Sequence, residues 1–263
     1  MTARLVVLLC LVIAAPVSWA EEVATVDIDL VDQQPIEYPT HHVQGLAVTA
    51  DSYWISSVDR RARVGFVFRV DRATAKLAGK RELSFDAQFH PGGIELAGDS
   101  LWVPVAEYRP RSTSTILKLD AQSLETQASF TVDDHIGCLA VNAGGQITAA
   151  NWDARTFYRF TADGKKLGET ANPRPTAYQD LKSWGELLVG CGTEKVEGQV
   201  RPVVDCLRPD TLALEARWRP RGTLRSGGNN FCREGCAIFK GALFLMPEDG
   251  PQTTIYQFAA PRP

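Results

Sequence analysis

Three short stretches decide the architecture: His42-Val-Gln-Gly45-Leu46, His90-Pro-Gly-Gly93-Ile94 and His135-Ile-Gly-Cys138-Leu139. The second frame begins 48 residues after the first, and the third 45 after the second. Each is followed at a similar offset by an apolar run: Tyr53-Trp54-Ile-Ser-Ser-Val58, Leu101-Trp102-Val-Pro-Val105 and Gln146-Ile-Thr-Ala-Ala150. A third run then ends in Asp before a turn, at Asp71, Asp120 and Asp163, and a polar fourth run closes the unit, as in Thr126–Val132. Short runs separated by Gly, Asp and Pro, with no capped 3.6-residue period, read as strands rather than helices.

Two looser units follow. One runs from Asp180-Leu181 through Leu187–Val189 and Val203-Val204 to Ala216-Arg-Trp218. The other comprises Gly235–Phe239, Leu243–Met246 and Thr254–Phe258. The last has three strands, and Val23–Leu30 at the other end of the chain can supply the fourth. Four-stranded units repeating every 45 or so residues predict an all-β propeller, and closing it into a ring removes the free sheet edges of an open array. Five blades are expected, or six if two units between 170 and 235 have been merged.

At the N-terminus, Arg4 precedes the apolar stretch Leu5–Ala15, and Pro16 and Ser18-Trp19-Ala20 follow. This pattern predicts a signal peptide over 1–20, leaving 21–263 as one propeller domain that is secreted or periplasmic after cleavage. Of the 263 residues, 28 are basic and 31 acidic, a net charge of −3 that gives no footprint for nucleic acid. No later segment is long and apolar enough to span a bilayer, and a monomer is the expected state. Export makes disulfides plausible. A turn at Gly198-Gln199, with Gly first, would set Cys191 opposite Cys206 across a hairpin. Cys232 and Cys236 form a second candidate pair, and Cys138 reads as a buried free thiol.

The blade pattern resembles the secreted propellers of the lactonase, strictosidine-synthase-like and NHL type. More narrowly, His90-Pro-Gly-Gly93-Ile94, His135-Ile-Gly137 and Asn151-Trp-Asp153 resemble an uncharacterised family of exported bacterial and fungal propellers. The resemblance implies the fold but no reaction. The calcium-binding lactonases use an oxygen-rich ligand set, whereas this chain offers histidines.

In a propeller the innermost strand of each blade starts on the face where the second strand ends. His42, His90 and His135 therefore converge at one level, with Asp59, Glu107, Asn151, Asp153 and Glu248 at the ends of the second strands. Imidazoles ringed by carboxylates can hold a divalent cation of unspecified identity. The expectation is a metal-assisted hydrolase of a small ester, lactone or phosphoester. In it His42, His90 and His135 bind the ion, Glu107 or Glu234 acts as base, and Asp59, Asn151, Asp153 and Glu248 contact the substrate. Two rivals use the same face: a non-catalytic propeller that binds a small molecule, glycan or peptide, and a glycosidase using Asp59 and Glu107. The histidines could equally serve to bond the backbone of a neighbouring blade.

Overall fold

The computed structural model describes residues 23–260. The segment read as a signal peptide, Met1–Ala20, lies outside them. After β1 (Thr25–Pro35) comes a first four-stranded set: β2 (His42–Val48), β3 (Ser52–Asp59), β4 (Val64–Asp71) and β5 (Leu77–Glu82). The second set is β6 (Gln88–Pro91), β7 (Glu95–Ala97), β8 (Ser100–Glu107), β9 (Ser114–Asp120) and β10 (Thr126–Val132). Here β6 and β7 are two halves of one inner strand, both paired to β8. The third set is β11 (Ile136–Val141), β12 (Ile147–Asn151), β13 (Thr156–Phe160) and β14 (Lys166–Ala171). The fourth is β15 (Ala177–Trp184), β16 (Leu187–Val196), β17 (Gln199–Leu207) and β18 (Leu214–Arg221), and the last is β19 (Gly235–Phe239), β20 (Ala242–Met246) and β21 (Thr254–Ala259). Among the described residues the helical content is one 3-10 turn, Trp152–Ala154. The all-β expectation stands.

Within each set consecutive strands are antiparallel neighbours, and the inner strands touch in a circle: β2 with β7, β7 with β11, β11 with β15, β15 with β19, and β19 with β2. Apolar side chains fill each gap. Trp54, Leu101 and Leu117 lie between the first two sets, and Trp102, Leu139 and Phe160 between the next two. The repeated tryptophans are wedges between sheets; Trp54 also donates its indole N–H to the Ala121 carbonyl at 2.8 Å.

The N-terminal strand does more than complete the last set. Leu30–Pro35 pairs antiparallel with β21, while Thr25–Asp29 runs parallel to β18. One strand thus stitches two sets into a single eight-stranded sheet.

The expected disulfides do not form. All five cysteines among the described residues are free and buried. The β16–β17 turn falls on Glu197-Gly198, both left-handed (φ 52° and 80°), as a two-residue turn with two positive φ values requires. This displaces the register, so Cys191 faces Val204 and Cys206 faces Val189. Cys232 and Cys236 keep separate thiols in the apolar cluster that also contains Cys191.

The frame glycines are explained at the axis. Asp180, at the frame position of β15, is fully buried. Its Oδ2 accepts from the backbone N–H of Leu46 at 3.1 Å and of Cys236 at 2.9 Å. Its Oδ1 accepts from Leu181 N at 2.9 Å and from Lys182 Nζ at 2.6 Å. Lys182 also donates to the carbonyls of Leu181 and Ile94. Glu95 accepts from Ser183 N at 2.9 Å. A Cβ on Gly93 would collide with the Asp180 carboxylate and the Cys138 side chain.

Burial raises Asp180 to about 6, leaving it ionised at neutral pH. Burial also works against the Lys182 charge, but Asp180 holds that group above its ordinary value. Removing one partner strands a buried charge, so Asp180→Ala is expected to lower the unfolding free energy by about 3–5 kcal/mol in urea titrations. Burial lifts Glu95 to about 8. Its folded-state value is the higher one, so its contribution is lost as pH rises through that value. Stability is expected to fall from about pH 4.5 to about 8 and to level off above that, and Glu95→Gln to flatten the decline in denaturation midpoints measured across that range.

Candidate active site

The starts of the inner strands and the ends of the second strands share one face. His42 opens β2, and its Nδ1 lies 2.9 Å from Asp249 Oδ1, in the loop after β20. The Val43 N–H donates to the same oxygen at 3.3 Å. Glu234, immediately before β19, completes a trio in which one donor atom from each of His42, Glu234 and Asp249 lies within 4.8 Å of the others. Arg233 reaches Glu234 Oε1 at 3.4 Å, and Arg60 reaches Asp249 Oδ2 at 3.9 Å.

The two acids are driven apart. Burial pushes the Glu234 carboxyl well above the usual carboxylate range, and the charge of Asp249 adds to this against the weaker pull of Arg233 and Arg60. Burial also works to raise Asp249, but its hydrogen bond to His42, the charge of that ring and Arg233 hold it below the ordinary value. Neighbouring carboxyls with opposed tendencies are suited to separate acid and base roles.

His90 and His135 meet beside this trio, ring centres 5.4 Å apart. Tyr108 packs on His90 at 4.3 Å, and Trp152 stands edge-on to His135 at 4.6 Å. Burial lowers both imidazoles, His90 to about 3, so both are neutral at working pH. His135 Nδ1 is bonded to the Arg109 carbonyl at 3.0 Å. His41 is half-buried and stacks on Phe66 at 5.3 Å.

The three frame histidines are therefore divided. His42 joins the carboxyl trio, whereas His90 and His135 join the aromatic cluster. Glu107 sits at the rim, hydrogen-bonded at 2.8 Å to Arg109, which keeps it ionised. Asp59 is occupied by the N–H groups of Arg61 and Ala62, both at 2.9 Å. Asn151 spans Asp134 and Thr156, at 3.0 and 2.8 Å. Glu248 accepts from Ser226 N and the Tyr256 hydroxyl, each at 2.7 Å. Asp153 is exposed.

Nothing in the local sequence singles out Asp249 or joins Tyr108 and Trp152 into a unit. Asn151-Trp-Asp153 was visible as a motif, but nothing in it announces a ring facing two histidines.

The sequence profile of DUF6454, a family of unknown function, matches residues 11–178, and the chain belongs to that family. No curated protein matches the sequence. Glutaminyl cyclase of Myxococcus xanthus superposes with a TM-score of 0.67 at 12% identity, covering 89% of this chain and 97% of the cyclase. The calcium-binding protein regucalcin of Agrobacterium tumefaciens superposes with a TM-score of 0.50 at 8% identity, covering 90% of this chain and 98% of its own. At such identities the likeness is one of fold, that of β-propellers.

Because its buried carboxyl resists ionisation, Glu234 penalises the folded state above its unfolded value. Glu234→Gln removes that penalty. A thermal melt of chelator-treated protein at pH 8 is expected to show a rise of about 2–4 °C per kcal/mol recovered.

Proposed function

We propose that the five strand sets are the blades of one five-bladed propeller, exported after removal of 1–20, whose top face is the active site of a metal-assisted hydrolase. The cation is held by His42, Glu234 and Asp249 rather than by three histidines. The observation that carries this is the trio itself: three donors from separate segments within 4.8 Å of one another, one of them a buried carboxyl. One nitrogen and two oxygens leave coordination positions for water, the pattern of a catalytic rather than a structural ion. Such an ion supplies a water of lowered pKa.

The chain's own groups do the rest. Val43 N–H fixes Asp249, and Glu234 gives up its proton on becoming a ligand. Cation affinity therefore rises with pH. Glu107, kept ionised by Arg109, is the remaining base at the rim. Substrates are small esters, lactones or phosphoesters.

Purified protein is expected to carry about one equivalent of a divalent metal, seen by elemental mass spectrometry. Glu234→Gln and Asp249→Asn should each lower occupancy by about tenfold or more. Hydrolysis of p-nitrophenyl butyrate, a small lactone or p-nitrophenyl phosphate is expected to disappear with a chelator and return with metal. Absence of metal at any pH, with turnover indifferent to chelator, would refute the reading.

A second reading is favoured by the proton on Glu234 together with the breadth of the likeness to glutaminyl cyclase. In it the α-amine of an N-terminal glutaminyl residue attacks its own side-chain carbonyl. The C–N bond of the ring forms and ammonia leaves. Glu234 donates to the leaving nitrogen and is recharged by the attacking amine. Release of ammonia from a glutaminyl peptide by chelator-treated protein would select this reading.

A further inference from the structure

We infer that His90 is the hydrogen-bond donor to a carbonyl oxygen of the substrate, with Tyr108 and Trp152 holding the acyl group, so that the site takes esters, lactones or amides rather than phosphoesters. This rests on the site assigned above and narrows its substrate class.

The frame places a histidine at one offset three times, and two of the three have protein partners. His42 is bonded to Asp249 and His135 to the Arg109 carbonyl. His90 is 8% exposed, and its Nδ1 is enclosed with no hydrogen-bond partner among the described residues. Its other nitrogen, Nε2, makes no protein hydrogen bond among the described residues and is not one of the enclosed atoms.

A neutral imidazole carries a single N–H. Placed on Nδ1, that donor would be buried and unmet, at about 1–3 kcal/mol. Placed on Nε2, it points to the open side. The enclosed nitrogen is then a bare lone pair among aromatic rings, and the ring presents one neutral donor to whatever enters. Burial, together with His135, His42 and Arg60, keeps the ring from acquiring a charge. A neutral imidazole donor suits a carbonyl oxygen that gains negative charge only in the transition state.

The neighbours agree. Tyr108 is 37% exposed, and its ring stands at 87° to that of Trp152, centres 6.4 Å apart. Trp152 donates its N–H to the His135 carbonyl at 3.1 Å, and the next two residues, Asp153 and Ala154, are in left-handed backbone (φ 57° and 52°), a conformation costing about 1–3 kcal/mol at each non-glycine residue. Three arginines of this rim are engaged, whereas Arg61 and Arg111 are exposed. Arg63 lies over the Phe89 ring at 4.7 Å, Arg109 is on Glu107, and Arg60 faces Asp249. This cluster thus offers aromatic faces and a neutral donor, a better match for an acyl carbonyl than for a phosphate dianion.

The test uses metal-loaded full-length protein. With p-nitrophenyl butyrate, His90→Ala is expected to lower kcat about 10²-fold or more with little change in KM or metal content, and His90→Gln, which restores a neutral donor, to recover part of it. Trp152→Ala should raise KM for p-nitrophenyl benzoate more than for the acetate. Nitrogen NMR of histidine-labelled protein should show His90 as the Nε2–H tautomer, unprotonated from pH 5 to 8. Full ester activity in His90→Ala, cleavage of p-nitrophenyl phosphate alone, or an Nδ1–H tautomer overturns the inference and leaves the metal centre standing. No metal binding and no turnover of any substrate, with His90 still the Nε2–H tautomer, overturns instead the reading on which it rests.

Discussion

A carboxylate on the axis of a ring, out of reach of water, tolerates no missing partner. Asp180 meets that demand by taking donors from three sets of strands: Leu46 from the first, Cys236 from the last, and Leu181 and Lys182 from its own. Lys182 then reaches the Ile94 carbonyl of a fourth. The second and third sets are tied at the same level by Gly93 N–H to the Gly137 carbonyl, 2.8 Å. The ring is closed by one polar cluster as much as by the apolar wedges between sheets. An apolar residue at 180 would pack, but it would take the acceptor from the N–H groups of Leu46, Cys236 and Leu181 and leave the Lys182 ammonium without its counter-charge.

That hub also sets where chemistry can occur. His42 precedes Leu46 by four residues on the same strand, so the face carrying the histidines stands about 13 Å from the clamp. With Asp180 and Lys182 occupying the axis, the side chains gathered at the inner-strand starts form a separate cluster on that face. The strands β2 and β6 place His42 and His90, His135 immediately precedes β11, and the β18–β19 and β20–β21 loops bring in Glu234 and Asp249. Position comes from the strands and chemistry from the loops, the usual division of labour in a scaffolded site.

Within this cluster, burial and partners rather than residue type set the ionisation of the acids. Glu234 and Asp249 are both acids, yet one is driven to hold its proton and the other to release it, because only Asp249 has the His42 ring and a backbone N–H on its carboxylate. The same logic separates three histidines of identical frame position. Of these three, His90 is the one whose ring nitrogens have no hydrogen-bond partner among the described residues.

Strand content, the repeat, the position of the tryptophan wedges and the face shared by His42, His90 and His135 were all legible in the chain, because each depends on local periodicity. The frame itself hinted at the hub, since Asp180 stands where earlier units carry Gly45, Gly93 and Cys138. What was not legible depends on register and on distance along the chain. One residue of difference in where a hairpin turns moved Cys191 and Cys206 past each other, and β1 divides its pairing between two sets at a bulge near Asp32. His42 and Asp249 are 207 residues apart. Local side-chain pattern determines which segments become strands and which faces they bury. Only closure of the ring decides which ends meet, because that contact is set by the sum of every turn and twist between them.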